Sequence, residues 1–151
     1  MSARLGAVAA TTLFLLAVAG CSGPPEDDPL AGCLSADTGT IALGVVNSSG
    51  DDLVVDALEL GGASGVEIID RFLIIDDSAA SATVEFGTSG RAGYGAGDLD
   101  SAVVAPGESA YVGVEVTLTG AEPGSVDGLV VTSGGRAQAV PVRLALGADC
   151  E

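Results

Sequence analysis

The sequence predicts an all-β fold, and two observations lead to that prediction. Apolar residues alternate with other residues over positions 111–118 and again over 139–146, which is the period-two pattern of strands with one buried face. Turn-forming clusters at positions 47–51, 61–62, 106–107, 123–124 and 134–135 separate the apolar segments. No segment beyond residue 20 combines a helical period with capping residues. The chain is therefore expected to consist of short strands joined by tight turns.

The strands are predicted one by one from these patterns: residues 40–46, 53–60, 66–69, 72–75, 82–86, 102–104, 111–118, 129–132 and 139–146. Pro141 interrupts the last of them and has no N–H to donate, so that position should lie at a sheet edge or a bulge. About seven to nine short strands over about 110 residues are typical of a single immunoglobulin-like β-sandwich.

Composition restricts the function classes. The 151 residues contain 21 acidic residues against five arginines and no lysine, for a net charge of −16. All the acids and four of the arginines follow Cys21, so the chain beyond that point carries −17. Such a charge excludes nucleic acid as a partner, because its phosphates are bound through cationic side chains. The hydrophobic content of 48% nevertheless predicts a folded core rather than disorder.

Residues 1–20 are typical of an export signal, with Arg4 as a short basic start and a small-and-apolar run that follows it. The run is shorter than the roughly 20 residues of a membrane-spanning helix. It ends in Val18-Ala19-Gly20-Cys21, which resembles the lipobox of prokaryotic lipoproteins. The resemblance implies cleavage before Cys21 and diacylation of its thiol, hence an extracytoplasmic protein anchored to the membrane. The alternative is a plain signal peptide in which Cys21 is incidental.

The remaining cysteines form an even pair. If lipid modifies Cys21, Cys33 and Cys150 are left in an oxidising compartment, which predicts a disulfide between them. We expect residues 21–32 to be the lipidated cysteine and an acidic, proline-rich linker, and residues 33–151 to be the sandwich domain.

Two segments carry a family resemblance: VVNSSGDDLVVDALELGG, which begins at Val45, and VAPGESAYVGVEVTLTGAEPGSVDGLVVTSGGRAQAVPVRLAL, which begins at Val104. They are similar to the ASH-like (abnormal-spindle/hydin-type) immunoglobulin-like domains, relatives of which occur in choice-of-anchor D surface proteins of bacteria. The resemblance covers residues 40–146 and implies an adhesive or scaffolding role without catalytic residues. The chain departs from the pattern in its long insert at residues 87–100 and in lacking the aromatic residue after the second strand.

Catalytic chemistry has few candidates in this chain. With no histidine, the commonest general base and the Ser-His and Cys-His nucleophile arrangements are excluded. The acidic pairs Asp51-Asp52 and Asp76-Asp77 lie at predicted turns, where solvated carboxylates are more typical than a catalytic pair. We therefore expect neither an enzyme nor a cofactor.

Residues 87–101, GTSGRAGYGAGDLDS, form the most unusual segment and are predicted to be an exposed hairpin. Its glycines lack the GK[ST] ending of a phosphate loop. Asp98 and Asp100 begin like a calcium loop, but the next ligand and the glycine of such a loop are missing. Because loops on rigid sandwiches carry recognition, we predict Arg91, Tyr94, Asp98 and Asp100 as binding residues. No dedicated metal site is predicted.

Asn47-Ser48-Ser49 is a glycosylation sequon at a turn that we expect to be exposed, although the same residues are common turn formers. For the whole protein, the sequence favours a membrane-anchored surface or periplasmic lipoprotein. It would act as a non-enzymatic binding or scaffolding module for a protein or envelope partner that the sequence does not identify. The alternative is a solute- or calcium-binding lipoprotein that uses its acidic loops.

Overall fold

A computed structural model describes residues 29–81, 83–95, 99 and 103–150, and these form an all-β sandwich, as predicted. One 3₁₀ turn lies at Gly90–Gly93. The strands among the described residues are β1 (Leu30–Leu34), β2 (Thr38–Val46), β3 (Leu53–Gly61), β4 (Val66–Ile75), β5 (Val84–Gly87), β6 (Val103–Val104), β7 (Ser109–Leu118), β8 (Gly124–Val126), β9 (Gly128–Ser133), β10 (Arg136–Val140) and β11 (Val142–Leu146).

The strands form two layers. One layer is the sheet β4-β7-β2-β5, and the other contains the sheets β10-β9-β3-β6 and β1-β11-β8. Only Asp127 separates β8 from β9 and only Pro141 separates β10 from β11, so each pair continues one strand direction across a register shift. Pro141 thus lies at a break in the ladder, as its missing N–H predicts. With these two pairs counted as continuous strands, the predicted range of seven to nine is met.

Aliphatic side chains fill the space between the layers. Burying such side chains is the main favourable term in folding, at about 25 cal/mol per Å² of apolar surface. The fully buried members with the largest side chains are Ile41, Leu58, Val104, Val112, Val114, Val116, Val126, Leu129, Val142, Leu144 and Leu146.

Strand β4 joins two segments that the sequence predicted as separate strands, residues 66–69 and 72–75. The polar pair Asp70-Arg71 interrupts the apolar pattern, but the pairing with β7 continues through it. The register shifts between Ile68 and Asp70, and Ile69 is left unpaired and half exposed, as in a β-bulge. The extra residue therefore changes the phase of the pattern without ending the strand.

Strand β7 differs from its prediction in having both faces buried. Val112, Val114 and Val116 face the main core, as the alternation indicates. Tyr111 and Gly113, on the other face, are buried as well. The outer face of this sheet is covered by residues 88–95, which follow β5, so the strand is enclosed on two sides.

Strand β1 begins at Leu30, within the segment predicted as linker. It runs parallel to β11, with Leu30 opposite Val142. The predicted disulfide is confirmed: Cys33 in β1 is joined to Cys150, with 5.7 Å between their Cα atoms. Within the described residues, no helix has the length and apolar character to cross a membrane.

Candidate functional site

The segment after β5 packs against the outer face of the β4-β7-β2-β5 sheet. On these strands Phe72, Ile74 and Tyr111 alternate with core residues and therefore point away from the main core. The Tyr94 ring stacks on Phe72 with 5.4 Å between centroids and lies 5.2 Å from the Tyr111 ring. Phe72 itself lies over Gly113, where a Cβ atom would meet the ring. Residues 88–95, the described first part of the segment predicted as an exposed hairpin, thus cover a second, smaller apolar cluster.

Glu85 on β5 connects the two tyrosines. The Tyr111 hydroxyl donates to Glu85 Oε1 at 3.0 Å, and the Tyr94 hydroxyl lies 3.3 Å from Oε2. Burial and the neighbouring Glu85 charge disfavour the tyrosinate and raise the pKa of Tyr94 to about 12. The hydrogen bond to Glu85, followed by burial, raises the pKa of Tyr111. Both phenols are therefore held in the neutral, hydrogen-bonded form over an unusually wide pH range.

Arg91 lies in the same covering segment and is engaged with the sheet. Its Nε donates to Asp70 Oδ2 at 3.0 Å. The preceding Gly90 has a φ of +58° and is buried against Glu115, where a Cβ atom would meet the carboxylate. The positive φ favours glycine at this position, because an L side chain would be strained there.

The sequence-predicted binding residues therefore have mixed positions. Arg91 and Tyr94 hold the covering segment to the sheet, and only part of each side chain is left for a partner. Asp98, Asp100 and Cys21 lie outside the residues that the structure describes.

Asn47 is buried rather than exposed, which corrects the expectation for the sequon. Its side chain is 3% exposed, and Nδ2 donates to the carbonyls of Val104 and Asp51 at 2.7 and 2.8 Å. The Oδ1 atom accepts from the Ser49 N–H and hydroxyl. Both amide hydrogens are thus committed to the fold, and the residue forms the turn between β2 and β3.

Of the turn acids, Asp76 is engaged in local hydrogen bonds. Asp76 accepts hydrogen bonds from the Ser78 N–H and hydroxyl, and these bonds lower the pKa of its carboxyl. Among the described residues, no three His, Cys, Asp or Glu side chains converge as metal ligands would. The calcium hypothesis, which involves Asp98 and Asp100, stays a prediction.

An apolar cleft of about 870 Å³ lies between the two layers. It opens on the side where β10 and β5 are the terminal strands of their sheets. Its volume lies within the range of about 300–1,000 Å³ that is typical of ligand-binding clefts. The apolar side chains that line it are Leu30, Leu43, Val45, Val46, Leu53, Val55, Val84, Val131, Ala139, Val140 and Pro141.

Polar groups stand at the rim of the cleft. Ser81 and Ser133 line it together with Arg136 and Gln138 of β10. Arg136 is exposed and, within the described residues, has no side-chain hydrogen bond or ion pair. An apolar floor with one cation at the edge suits an occupant with apolar side chains and a negative charge.

Sequence reasoning missed both the cleft and the covered outer face. The second had a signal: the consecutive apolar residues 72–75 are typical of a strand buried on both faces. The cleft had none, because it depends on which two strands end their sheets on the same side of the sandwich. In comparisons with known proteins, no family model, no curated protein and no solved structure matches the chain.

Proposed function

We propose that the protein is an extracytoplasmic lipoprotein, anchored to the membrane through Cys21, whose sandwich domain acts as a non-enzymatic binding module. The observation that carries the proposal is the pairing of the cysteines. Cys33 and Cys150 are joined to each other, which leaves Cys21 without a disulfide partner in the chain. Cys21 is also the residue that ends the lipobox-like sequence, and disulfides persist in oxidising compartments outside the cytoplasm.

The geometry supports a site close to the anchor. Eight residues, 22–29, separate Cys21 from the start of β1 and reach at most about 30 Å when fully extended. Leu30, the first residue of β1, lines the apolar cleft. The cleft therefore opens at the end of the domain that the linker enters, within reach of other proteins on the same membrane.

Intact-mass analysis of protein extracted from membranes tests the anchor. We expect a chain that begins at Cys21 and carries a diacylglyceryl addition, and we expect Cys21→Ala to lose both the addition and the membrane association. Cys33→Ala is the matched control, because it removes a cysteine from the disulfide and leaves the lipobox intact. A wild-type product without lipid, or one that begins at another residue, would exclude the proposed anchor.

A further inference from the structure

One side of the sandwich is bordered by the continuous strand β10-β11 in one layer and by β5 in the other. Strand β1 closes the half of this side that contains β11. It pairs with β11 in one layer, from Leu30 opposite Val142 to Leu34 opposite Leu146. Its Gly32 lies against the ring of Phe86 on β5, in the other layer, where a Cβ atom would meet the ring. An extended segment thus pairs with one sheet and packs on the terminal strand of the other, which covers the core between them.

The other half of the same edge is open. Strand β10 continues β11 beyond Pro141 and has β9 as its neighbour on one side, while its other side borders the cleft. The position that β1 occupies beside β11 has no counterpart beside β10 among the described residues. The apolar floor of the cleft lies where the side chains of such a segment would point.

Strand β10 also offers backbone groups to that side. Its hairpin with β9 has a two-residue turn, Gly134-Gly135, with both φ angles positive. In such hairpins the flanking pair, here Ser133 and Arg136, exchanges hydrogen bonds, and alternate pairs follow. The N–H groups of Ala137 and Ala139 therefore point away from β9, toward the open side. Edge groups of this kind are the template for addition of another strand.

The segment that precedes β1 does not have the side chains to fill the cleft. Residues two and four positions before Leu30, on the same face of an extended chain, are Asp28 and Glu26. Burying two carboxylates against apolar side chains is unfavourable. A second copy of the chain is disfavoured by the repulsion between two chains that each carry −17 beyond Cys21.

Charge indicates the kind of partner. The domain has four arginines, and Arg71, Arg91 and Arg143 each have a hydrogen bond or ion pair with the protein. Arg136, at the rim of the cleft, has none within the described residues. A carboxylate on the partner would meet this cation, and the residues that line the cleft include no acid.

We propose that the β10 edge binds an extended segment of another protein, which adds as a strand in line with β1. Alternate apolar side chains of the segment enter the cleft, and an acidic side chain pairs with Arg136. This mode is strand addition, in which main-chain hydrogen bonds supply affinity and pockets for alternate side chains supply specificity. The inference rests on the proposed binding function but not on the lipid anchor.

The test uses the protein in the form in which cells produce it, with detergent where mass analysis shows the lipid. The probe is a labelled peptide of alternating valine and threonine that ends in aspartate, and fluorescence anisotropy measures its Kd. One control peptide has the same residues in scrambled order. A second control has the same side chains but N-methylated alternate amides, which removes the edge hydrogen bonds. We expect the alternating peptide to bind and each control to bind at least about tenfold more weakly.

Three variants locate the site. Ala139→Pro removes an N–H that faces the open side and no β9 bond, so we expect the fold to persist and peptide affinity to fall about tenfold. Arg136→Glu should weaken binding of the peptide that ends in aspartate by a similar factor, and it should strengthen binding of a peptide that ends in lysine. Arg143→Glu, an exposed arginine away from the cleft, is the matched charge control and should leave the Kd unchanged. If Ala139→Pro unfolds, the N-methylated peptide on the wild type still tests the edge.

Several results would overturn the proposal. One is the absence of binding by the alternating peptide up to about 1 mM. A second is that the N-methylated peptide binds as tightly as the unmodified one. A third is that Arg136→Glu and Arg143→Glu reduce the affinity for the aspartate peptide by the same factor. Native mass spectrometry that shows a non-covalent lipid displaced by Arg136→Glu would make the cleft a lipid site instead. A dimer in sedimentation that Ala139→Pro abolishes would assign the edge to a second copy. None of these results depends on the intact-mass measurement that tests the lipid anchor. The proposed anchor and the proposed strand addition can therefore be refuted independently of each other.

Discussion

Asn47 joins three parts of the chain through one side chain and its own backbone. Its amide contacts Val104 in β6 and Asp51 in the following turn. Its backbone N–H donates to the Glu108 carbonyl, and its carbonyl accepts from the Gly107 N–H. The hydrogen bond to the Val104 carbonyl is buried, so without the amide that carbonyl would have neither its partner nor water, and this makes the site sensitive to substitution.

We predict that Asn47→Ala lowers the free energy of unfolding by about 2–3 kcal/mol, because it leaves two carbonyls and two donors of Ser49 without the side chain. Asn47→Asp should cost at least as much, since it sets a carboxylate oxygen against two carbonyl oxygens. Denaturant unfolding measures both. Ser48→Ala, at the exposed neighbour, is the control and should change stability by less than about 0.5 kcal/mol. A similarly small effect of Asn47→Ala would contradict the role assigned to the amide.

The tyrosine pair gives a prediction for high pH. The chain has two tyrosines, no tryptophan and no lysine, so tyrosinate absorbance reports on Tyr94 and Tyr111 alone. The native pKa of Tyr94, about 12, lies above its unfolded value of 10.0, and that of Tyr111 is also raised. The native state thus holds these protons when the unfolded chain has released them. Its stability is complete below pH 10 and falls as the pH rises toward 12.

Spectrophotometric titration and unfolding at several pH values check this expectation. In Glu85→Gln both tyrosines should ionise at lower pH, because the charge and the hydrogen-bond acceptor that disfavour tyrosinate are reduced. Tyr94→Phe should lessen the loss of stability between pH 10 and 12. Half-ionisation of both native tyrosines near pH 10 would show that neither phenol is held as described.

At the scale of elements, the strands that could be predicted are those whose core-facing residues produce a period-two alternation in the sequence. The alternation over β7 identified its core face correctly, and the missing N–H of Pro141 located the break between β10 and β11. The covering role of Tyr94 was not predictable in the same way. Its partners Phe72 and Tyr111 lie 22 and 17 positions away in sequence, and only the pairing of β4 with β7 brings them together. Periodicity reports the faces of a strand but not what covers them.

Strand β1 was missed because its sequence, LAGCL, has no strong alternation and follows a proline-rich segment. Its place in the fold comes from β11, whose edge it extends, and from the covalent bond to Cys150. The Gly147 N–H also donates to the Leu34 carbonyl, and the Ser35 hydroxyl donates to that of Ala148. The strand therefore has non-covalent contacts that would persist without the disulfide.

We predict that reducing the disulfide lowers the free energy of unfolding by up to about 4–5 kcal/mol, without unfolding β1 in the native state. The bridge spans 117 residues, so its loss releases a large loop in the unfolded chain. Denaturant unfolding with and without reductant measures the difference, and both cysteines are exposed enough for reductant to reach. The control is the double variant Cys33→Ser with Cys150→Ser. Its free energy of unfolding should equal that of the reduced wild type and should not change when reductant is added. Equal stability of the oxidised and reduced proteins would contradict the prediction.

At the scale of the whole molecule, an apolar sandwich core is enclosed by a strongly acidic surface. Four arginines stand against the 21 acids beyond Cys21, and three of them are paired with the protein itself. Like charges at such density repel one another and oppose the compact state, and dissolved salt screens them over about 10 Å at 0.1 M. We therefore expect the melting temperature to rise with ionic strength whatever the identity of the salt.

This dependence separates the binding module from its calcium-binding alternative. We predict that CaCl₂ and MgCl₂ at equal concentrations, up to about 1 mM in a fixed NaCl background, raise the melting temperature equally, because both act by screening. A calcium site would add a saturable rise with CaCl₂ alone, since a ligand that binds the native state stabilises it by mass action. Asp98→Asn with Asp100→Asn would remove that rise, whereas Asp51→Asn with Asp52→Asn, the same charge change at another turn, would not. Such a pattern would favour the calcium-binding protein over the module proposed above.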